Sequence, residues 1–253
     1  MPDGSGERNL GAISRTFGTS SVELLSRKTL VREVFDSIAP RYDLMNDLMS
    51  FGTHRIWKRI AAAQTVAAAR RLEGPVIDLA GGTGDLTRLC RKGLPGRVVV
   101  NMDASPGMLA VAGESEGGTR ALAAAEAEHL PLADGSAAGM ILAFGLRNMT
   151  EPRKALAEIF RVLKPGASLA VLEFSTPYRW FAPFYNLYSH LVIPRLGAMV
   201  AGDKRAYRYL VDSIRQFPDV ATMTAELQRA GFARVTVKRL SFGIAALHVA
   251  EKP

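Results

Sequence analysis

Val76-Ile77-Asp78-Leu79-Ala80-Gly81-Gly82-Thr83-Gly84-Asp85 is the stretch that decides the fold. An apolar run ends near an acid, breaks into glycines, and gives way to a helical pattern from Leu86. That order predicts a buried strand, a tight turn and a helix N-terminus. Glycine has no Cβ, so such a turn lets bare backbone approach a ligand. The residues N-terminal to the stretch read as an added cap. Those C-terminal to it read as further strand–helix units built beside it.

Downstream, strands are expected at 98–102, 120–124, 139–144 and 168–174, with helices at 85–92, from Pro106, and at 151–163. Pro106 and Pro152 suit the first turn of a helix, and Thr150 is a candidate N-cap. Strands that alternate with helices imply a mainly parallel sheet. A helix at 222–230, closed by Gly231, leads to strands at 234–240 and 244–250, a hairpin that must bring in an antiparallel strand. Upstream, Val22, Leu24, Leu25, Leu30, Val31, Val34, Phe35 and Ile38 recur at helical spacing until Ala39-Pro40. A short helix and loop are expected over 41–52, then a helix from Thr53, its expected N-cap, to about Arg71. The division is a flexible tail at 1–20 and a single domain at 21–253. Within the domain, 21–72 is a helical cap, 73–174 the ligand-binding core, 175–217 an aromatic insertion, and 218–253 the final helix and hairpin.

The 253 residues suit one α/β domain with a sizeable core. With 48% hydrophobic and 22% charged residues the chain is globular, not disordered. A net charge of +8 favours anionic partners (nucleic acid, an acidic membrane surface or an acidic ligand) without choosing among them. Cys90 is alone, which excludes an intrachain disulfide and fits a reducing, cytoplasmic setting. It reads as a buried, small apolar residue. His54, His129, His190 and His248 have no zinc-ligand spacing, and no metal is expected. Residues 1–9 lack the pattern of a signal peptide. The nearest approach to a spanning helix, 181–202, is broken by Pro183, His190, Pro194 and Arg195.

The glycine turn has two common readings. A dinucleotide site wants G-x-G-x-x-G, but three residues beyond Gly84 stands Thr87. The methyltransferase turn, acid-x-Gly-x-Gly-x-Gly, is matched by Asp78 to Gly84 with Ala80 in the first glycine place. Its ligand, S-adenosylmethionine, has no pyrophosphate, so the turn around Gly81 need only admit backbone to the ribose and amino-acid parts. Asp103 closes the second strand and can accept from both ribose hydroxyls, or else cap the helix opened by Pro106. Glu126 can meet the adenine amino group and Ala127 the ring, unless 125–131 is a solvated loop. Ala143-Phe144-Gly145 offers backbone to the methionine portion.

Five segments carry a family resemblance: Val34-Phe35 through Ala39-Pro40-Arg41-Tyr42-Asp43-Leu44-Met45-Asn46-Asp47-Leu48-Met49-Ser50-Phe51-Gly52-Thr53-His54-Arg55-Ile56-Trp57-Lys58; Asp78 to Leu86; Phe144-Gly145-Leu146-Arg147-Asn148; Arg161-Val162-Leu163-Lys164-Pro165-Gly166; and Leu172-Glu173-Phe174-Ser175. With these the chain resembles the ubiquinone/menaquinone biosynthesis C-methyltransferases over nearly all residues past the first twenty or so. The first and third segments are more specific than the glycine turn. The resemblance implies a Rossmann-like class I methyltransferase fold, α/β with a mostly parallel seven-stranded sheet, a C-terminal antiparallel strand and an N-terminal helical cap. It implies S-adenosyl-L-methionine as cofactor and a ring carbon of a polyprenylated quinol, benzoquinol or naphthoquinol, as the methyl acceptor. By match, the cofactor contacts fall on Thr83, Asp103, Glu126, Ala127 and Ala143. Glu126 stands where the family usually has Asn or Asp, and Ala143 where Ser is frequent.

Methyl transfer from a sulfonium needs positioning and an electron-rich ring, helped by whatever stabilises a phenolate. Arg147 is the catalytic candidate, as an always-charged group that orients a water or stabilises the phenolate. The alternative pairs it with a carboxylate such as Glu173. Asn148 is a candidate for a ring oxygen, and Tyr42 for closing over the cofactor. The insertion, with Tyr178, Trp180, Phe181, Phe184, Tyr185 and Tyr188 ahead of Leu191-Val192-Ile193, suits a prenyl tunnel. It also suits contact with a membrane surface or a quinone-biosynthesis complex at the inner face of the cytoplasmic membrane. Arg179, Arg195, Lys204, Arg205 and Arg208 suit anionic headgroups. A lid helix or a homodimer contact is an equal alternative. Two other classes stay open: a methyltransferase on another phenol or lipid, and a non-catalytic subunit of the same fold. A nucleic-acid partner is not expected, since no Asn-Pro-Pro-Tyr-type loop and no Cys stands near the fourth strand.

Overall fold

The computed structural model describes residues 9–13, 16–17, 20–21, 23–39, 42–115, 121–191 and 204–253. A seven-stranded sheet forms the centre. Its strands are β1 (Val76–Leu79), β2 (Val99–Asp103), β3 (Leu122–Ala124), β4 (Gly139–Ala143), β5 (Ser168–Phe174), β6 (Arg234–Leu240) and β7 (Ala245–Glu251). Their order is β3-β2-β1-β4-β5-β7-β6. The first five strands run parallel, and β7 lies antiparallel between β5 and β6. The hairpin therefore inserts its second strand beside β5, leaving β6 at the edge.

Successive residues of a strand face opposite sides of the sheet, and β1 and β4 are apolar on both. Ile77, Leu79, Met140 and Leu142 join one core with Leu156, Ile159, Met223 and Phe232. Val76, Ile141 and Leu172 join another with Trp57, Ala61, Val66 and Cys90. Cys90 is fully buried, and burial pushes its thiol up to about 12, so it is an apolar filler. Helices α1 (Leu24–Ile38), α2 (Tyr42–Ser50) and α3 (Thr53–Ala69) form the cap. Then come α4 (Asp85–Gly93), α5 (Pro106–Ser115), α6 (Pro152–Val162), α7 (Ala182–Leu191), α8 (Lys204–Gln216) and α9 (Val220–Arg229).

The register sets the site. Leu79 pairs with Met102 and Leu142, and Asp103 pairs with Ala124. The C-terminal ends of β1 to β4 thus stop along one line. The strand order reverses between β1 and β4, and ligands of open α/β sheets bind in the crevice at such a reversal.

Several expectations need correction. The tail at 1–20 is packed where it is described: Leu10–Ile13 forms one helical turn, with Leu10 fully buried and Ile13 in the core beside Met149 and Leu156. Thr16–Phe17 pairs with Ser20–Ser21, and the Thr16 carbonyl accepts from Arg27 at 2.8 Å. Two apolar residues three apart sufficed to bury one face of this turn. Thr53 is not an N-cap. Gly52 holds that place with φ of 70°, and the Thr53 hydroxyl donates to the Ser50 carbonyl. Thr150 does not cap α6 with its side chain; the Thr150 and Glu151 amides donate instead to the Glu128 carboxylate at 2.8 and 2.9 Å. Asp219 caps α9 by accepting from the Thr222 amide, so that helix begins before the expected 222. The insertion contains α7 and α8, whereas Val192, Ile193, Pro194 and Arg195 lie outside the described residues, as does Arg120. The side chains of Lys204, Arg205 and Arg208 are likewise outside them. Among the described residues no helix is long and apolar enough to cross a membrane.

Candidate active site

A cleft of about 1110 Å3, counting its open mouth, lies over the C-terminal ends of β1 to β4. That is the scale of a small-molecule site. Its floor is the glycine turn. Ala80, Gly82 and Gly84 all have positive φ, at 52°, 53° and 85°. Ala80 carries strain that glycine would not. Gly81 serves packing more than ligand access. A Cβ there would meet Asn101 Oδ1 at 2.4 Å and Asp78 Oδ2 at 2.8 Å. Asp78 is fully buried beneath the turn and accepts from the Thr87 hydroxyl at 2.6 Å. Burial raises its carboxyl to about 7, with the Thr87 hydrogen bond opposing. Thr87, which breaks the dinucleotide pattern, is therefore the residue that anchors helix to strand. Gly145 permits the loop after β4 to lie on the turn, since its Cβ would come within 2.6 Å of the Ala80 Cβ.

Eight of the nine predicted site residues line this cleft. From the floor and far wall come Gly81, Thr83, Asp103 and Ala143. Glu126, Ala127, Asn148 and Tyr42 line the same space. Asp103 takes the helix-start role and also lines the cleft. One carboxylate oxygen accepts from the Gly82 amide at 2.9 Å and the other from Ser105 at 2.8 Å, so it joins turn to helix while facing the cleft. Burial raises its carboxyl, and these amide hydrogen bonds oppose the rise. Glu126 is paired with Lys28 of α1 at 2.5 Å. The longer acid in the Asn/Asp position thus reaches a lysine of the cap. Glu128, the other acid of that loop, is turned to the start of α6 rather than to solvent. Thr83 donates to Asp43 of α2 at 3.2 Å, which ties cap to turn.

Arg147 is the exception. It is 2% exposed and lies outside the cleft lining. Its Nη1 donates to the Phe144 carbonyl at 2.6 Å and to Glu173 at 2.9 Å, and the guanidinium sits over the Phe144 and Phe174 rings. The geometry matches the Glu173 pairing and keeps the guanidinium out of the cleft lining. The reason is local. Gly145 through Asn148 turn as a single 3-10 segment, which sends Arg147 under the loop and Asn148 to the cleft. Phe144 makes the turn with φ of 57°, a strained value for a bulky residue. Asn148 is held from both ends: its amide donates to Phe144 O, and its carbonyl accepts from Tyr209 of α8, each at 3.0 Å.

Four contributors were missed. Arg27 is 1% exposed, and its guanidinium donates to the carbonyls of Arg147 and Met149 at 2.9 and 2.6 Å. Lys28 and Arg32 extend from the same helix over the cleft. Lys58 of α3 lines it, almost buried. A signal existed for two of these. Arg27 falls in step with Val31, Val34 and Ile38, and Lys58 with Ala61, Ala62 and Thr65, so each is a cation on an otherwise buried stripe.

Comparison with known proteins agrees with this fold. The fold is shared with a SAM-dependent methyltransferase from Thermotoga maritima (TM-score 0.57, 17% identity, 88% of this chain and 100% of that one). It is shared too with the cyclase SpnF (TM-score 0.63, 17% identity, 89% and 97%). One scaffold hosting different chemistries places the burden on closer relatives. The chain is 49% identical over 238 residues to the ubiquinone/menaquinone biosynthesis C-methyltransferase UbiE of Rubrivivax gelatinosus, covering 94% of this chain and 92% of that protein. It is 45% identical to the protein of the same description from Photorhabdus laumondii, covering 92% and 94%. The model of the ubiE/COQ5 methyltransferase family matches residues 23–252, from the start of the cap to the end of the last strand. The chain belongs to the ubiE/COQ5 methyltransferase family.

Proposed function

We propose that this protein transfers a methyl group from S-adenosylmethionine to a ring carbon of a polyprenylated quinol. The observation that carries the reading is that one cleft gathers the glycine turn, the Asp103 acceptor and the Phe144–Asn148 loop. The donor set suits the cofactor. Asp103 faces the cleft as a carboxylate acceptor for ribose hydroxyls, and Ala127 and Met108 offer apolar surface for a base. When bound, S-adenosylmethionine supplies an electrophilic methyl on a sulfonium. The remaining work is positioning, with reacting atoms held about 3–3.5 Å apart. Asn148, fixed by Phe144 and Tyr209, retains one amide hydrogen to orient a ring oxygen. Phe144 offers a face for the ring, backed by Phe174 at 4.8 Å and Trp57 at 6.3 Å. Lys28, Arg32 and Tyr42 bring the cap into the cleft lining. Arg147 acts through the loop, as a positioning residue. Complementation of a strain lacking its quinone C-methyltransferase tests the reading. Extracted lipids regain the methylated quinone if it is right; their absence with the protein expressed and folded overturns it.

A membrane surface is the proposed meeting place with the quinol. Trp180, Phe184, Leu187 and Phe242 are each more than half exposed, and Phe242 touches Trp180 and Phe181. Exposed Arg179 and a net charge of +8 complement anionic lipid. Cosedimentation with anionic vesicles is expected, lost on replacing Trp180 and Phe184 by Ser. Undiminished binding of that variant would reject this surface, and a change in its oligomeric state would assign the patch to a second copy instead.

A further inference from the structure

The methionine portion of the cofactor ends in a zwitterion, and the cleft holds one feature suited to its carboxylate that the turn and strand ends do not explain. Lys58, on the buried stripe of α3, is 7% exposed and lines the cleft beside the Gly82-Thr83 turn. Among the described residues its one hydrogen bond is to Asp85 Oδ2, at 2.9 Å. An ammonium has three donors, so two remain. Asp85 is already engaged through its other oxygen by Arg88. Lysines are seldom buried in a wall this way without a partner for the remaining donors.

The other cations lining the cleft are more exposed, so water reaches their remaining donors. Lys28 pairs with Glu126 after β3, and Arg32 donates to the Ala104 carbonyl after β2 at 2.9 Å. Both sit at the end where Asp103 and Ala127 receive the adenosine. Lys58 sits at the opposite end, at the start of α4. It is accompanied by two acids: Asp85, and Asp43, whose carboxyl is raised by burial and by Asp85. One cation with acids beside it matches an amino-acid head, in which a carboxylate and an ammonium share one carbon.

We infer that Lys58 receives the carboxylate of the cofactor's methionine portion, with Asp85 holding the lysine in place and close to the ammonium. The assignment rests on the cleft being the S-adenosylmethionine site and adds a residue from the cap to the binding of that molecule. It also gives the cap a function: α3 brings a charge that the sheet cannot supply, because the strand ends there are apolar or glycine.

Isothermal titration of the purified full-length protein tests it with three probes. S-adenosylhomocysteine has the whole head, its decarboxylated analogue keeps only the ammonium, and 5′-methylthioadenosine lacks both. Lys58→Met should weaken S-adenosylhomocysteine about 10- to 100-fold, the scale of a buried charge-assisted hydrogen bond, and leave the other two within about twofold. Lys58→Arg should retain most of the affinity. Equal losses for S-adenosylhomocysteine and the decarboxylated analogue overturn the assignment, as does unchanged binding with a fallen turnover, which would move the lysine to the substrate. 5′-Methylthioadenosine reports the adenosine half alone, so failure of the cofactor reading itself shows as no binding by the wild type. If Lys58→Met does not fold, the wild type still decides: it must prefer S-adenosylhomocysteine to the decarboxylated analogue by at least about tenfold, and parity overturns the proposal.

Discussion

Replacing Arg147 by Met removes one half of a fully buried ion pair and keeps most of the side-chain volume. Glu173 is 1% exposed, and its carboxylate then keeps only backbone donors: the residue 147 amide at 3.4 Å and the Phe174 amide at 3.2 Å. Breaking such a pair from one side costs about 3–5 kcal/mol, because the remaining charge is buried without a partner. For a chain of this size that corresponds to a fall in Tm of roughly 6–20 °C. The loss depends on pH. Burial raises the Glu173 carboxyl above its ordinary 4.5, and Arg147 is the strongest influence opposing the rise. Without Arg147 it rises further, so between 4.5 and that higher value the folded state binds the proton more tightly than the unfolded state. Stability of the variant therefore falls as pH increases through this range, and the gap from wild type is wider at pH ~8 than at pH ~5. Adding Glu173→Gln to Arg147→Met removes the buried charge and should recover about half of the loss or more. Urea unfolding followed by tryptophan emission is the assay, since Trp57 packs on Phe144 and Phe174 next to the pair. An Arg147→Met protein with a wild-type midpoint and abolished turnover would refute the reasoning and return the guanidinium to the substrate.

Gly81→Ala should destabilise by more than about 2 kcal/mol, measured by urea titration, because the new Cβ meets Asn101 and Asp78 below 3.0 Å and both are fully buried. Asp78, raised from 3.8 to about 7, binds its proton more tightly when folded, so its stabilisation is fully present below 3.8 and is lost as pH rises through about 7. The slope approaches about 1.4 kcal/mol per pH unit, and Asp78→Asn should flatten it in melts across that range. Leu10→Ala should cost about 2–4 kcal/mol, as for any large-to-small change in a packed core; a loss below about 0.5 kcal/mol would mean the segment contributes no packing.

The α/β order and the site's location were legible because they rest on local signals. The Asp78–Gly84 turn, Asp103 at a strand end and the Pro106 start each occupy the expected element. Parallel register then aligns the strand ends without further information. What was not legible depends on partners distant in sequence. Glu128 holds the backbone amides 22 and 23 residues later, just ahead of α6, and a side chain at that remove gives no periodic sign. Arg147 could equally have faced ligand or protein; the 3-10 turn after strained Phe144 decided, and no spacing rule anticipates that φ. Leu10 and Ile13 were too few to register as a periodic run, yet a single helical turn buries both. Lys58 and Arg27 were visible as cations on apolar stripes, a pattern that flags burial but not its purpose.

The central claim is that the Asn148 loop presents the ring carbon of a reduced quinol to the methyl group. The most direct measurement incubates the purified protein with isotopically methyl-labelled S-adenosylmethionine and a short-chain prenylated demethylquinol, held reduced, and locates the label by NMR. Label on the ring carbon of the quinol, with none on the oxidised quinone, is the predicted result. Label on a phenolic oxygen, or no transfer to the quinol while an unprenylated phenol accepts it, would contradict the account.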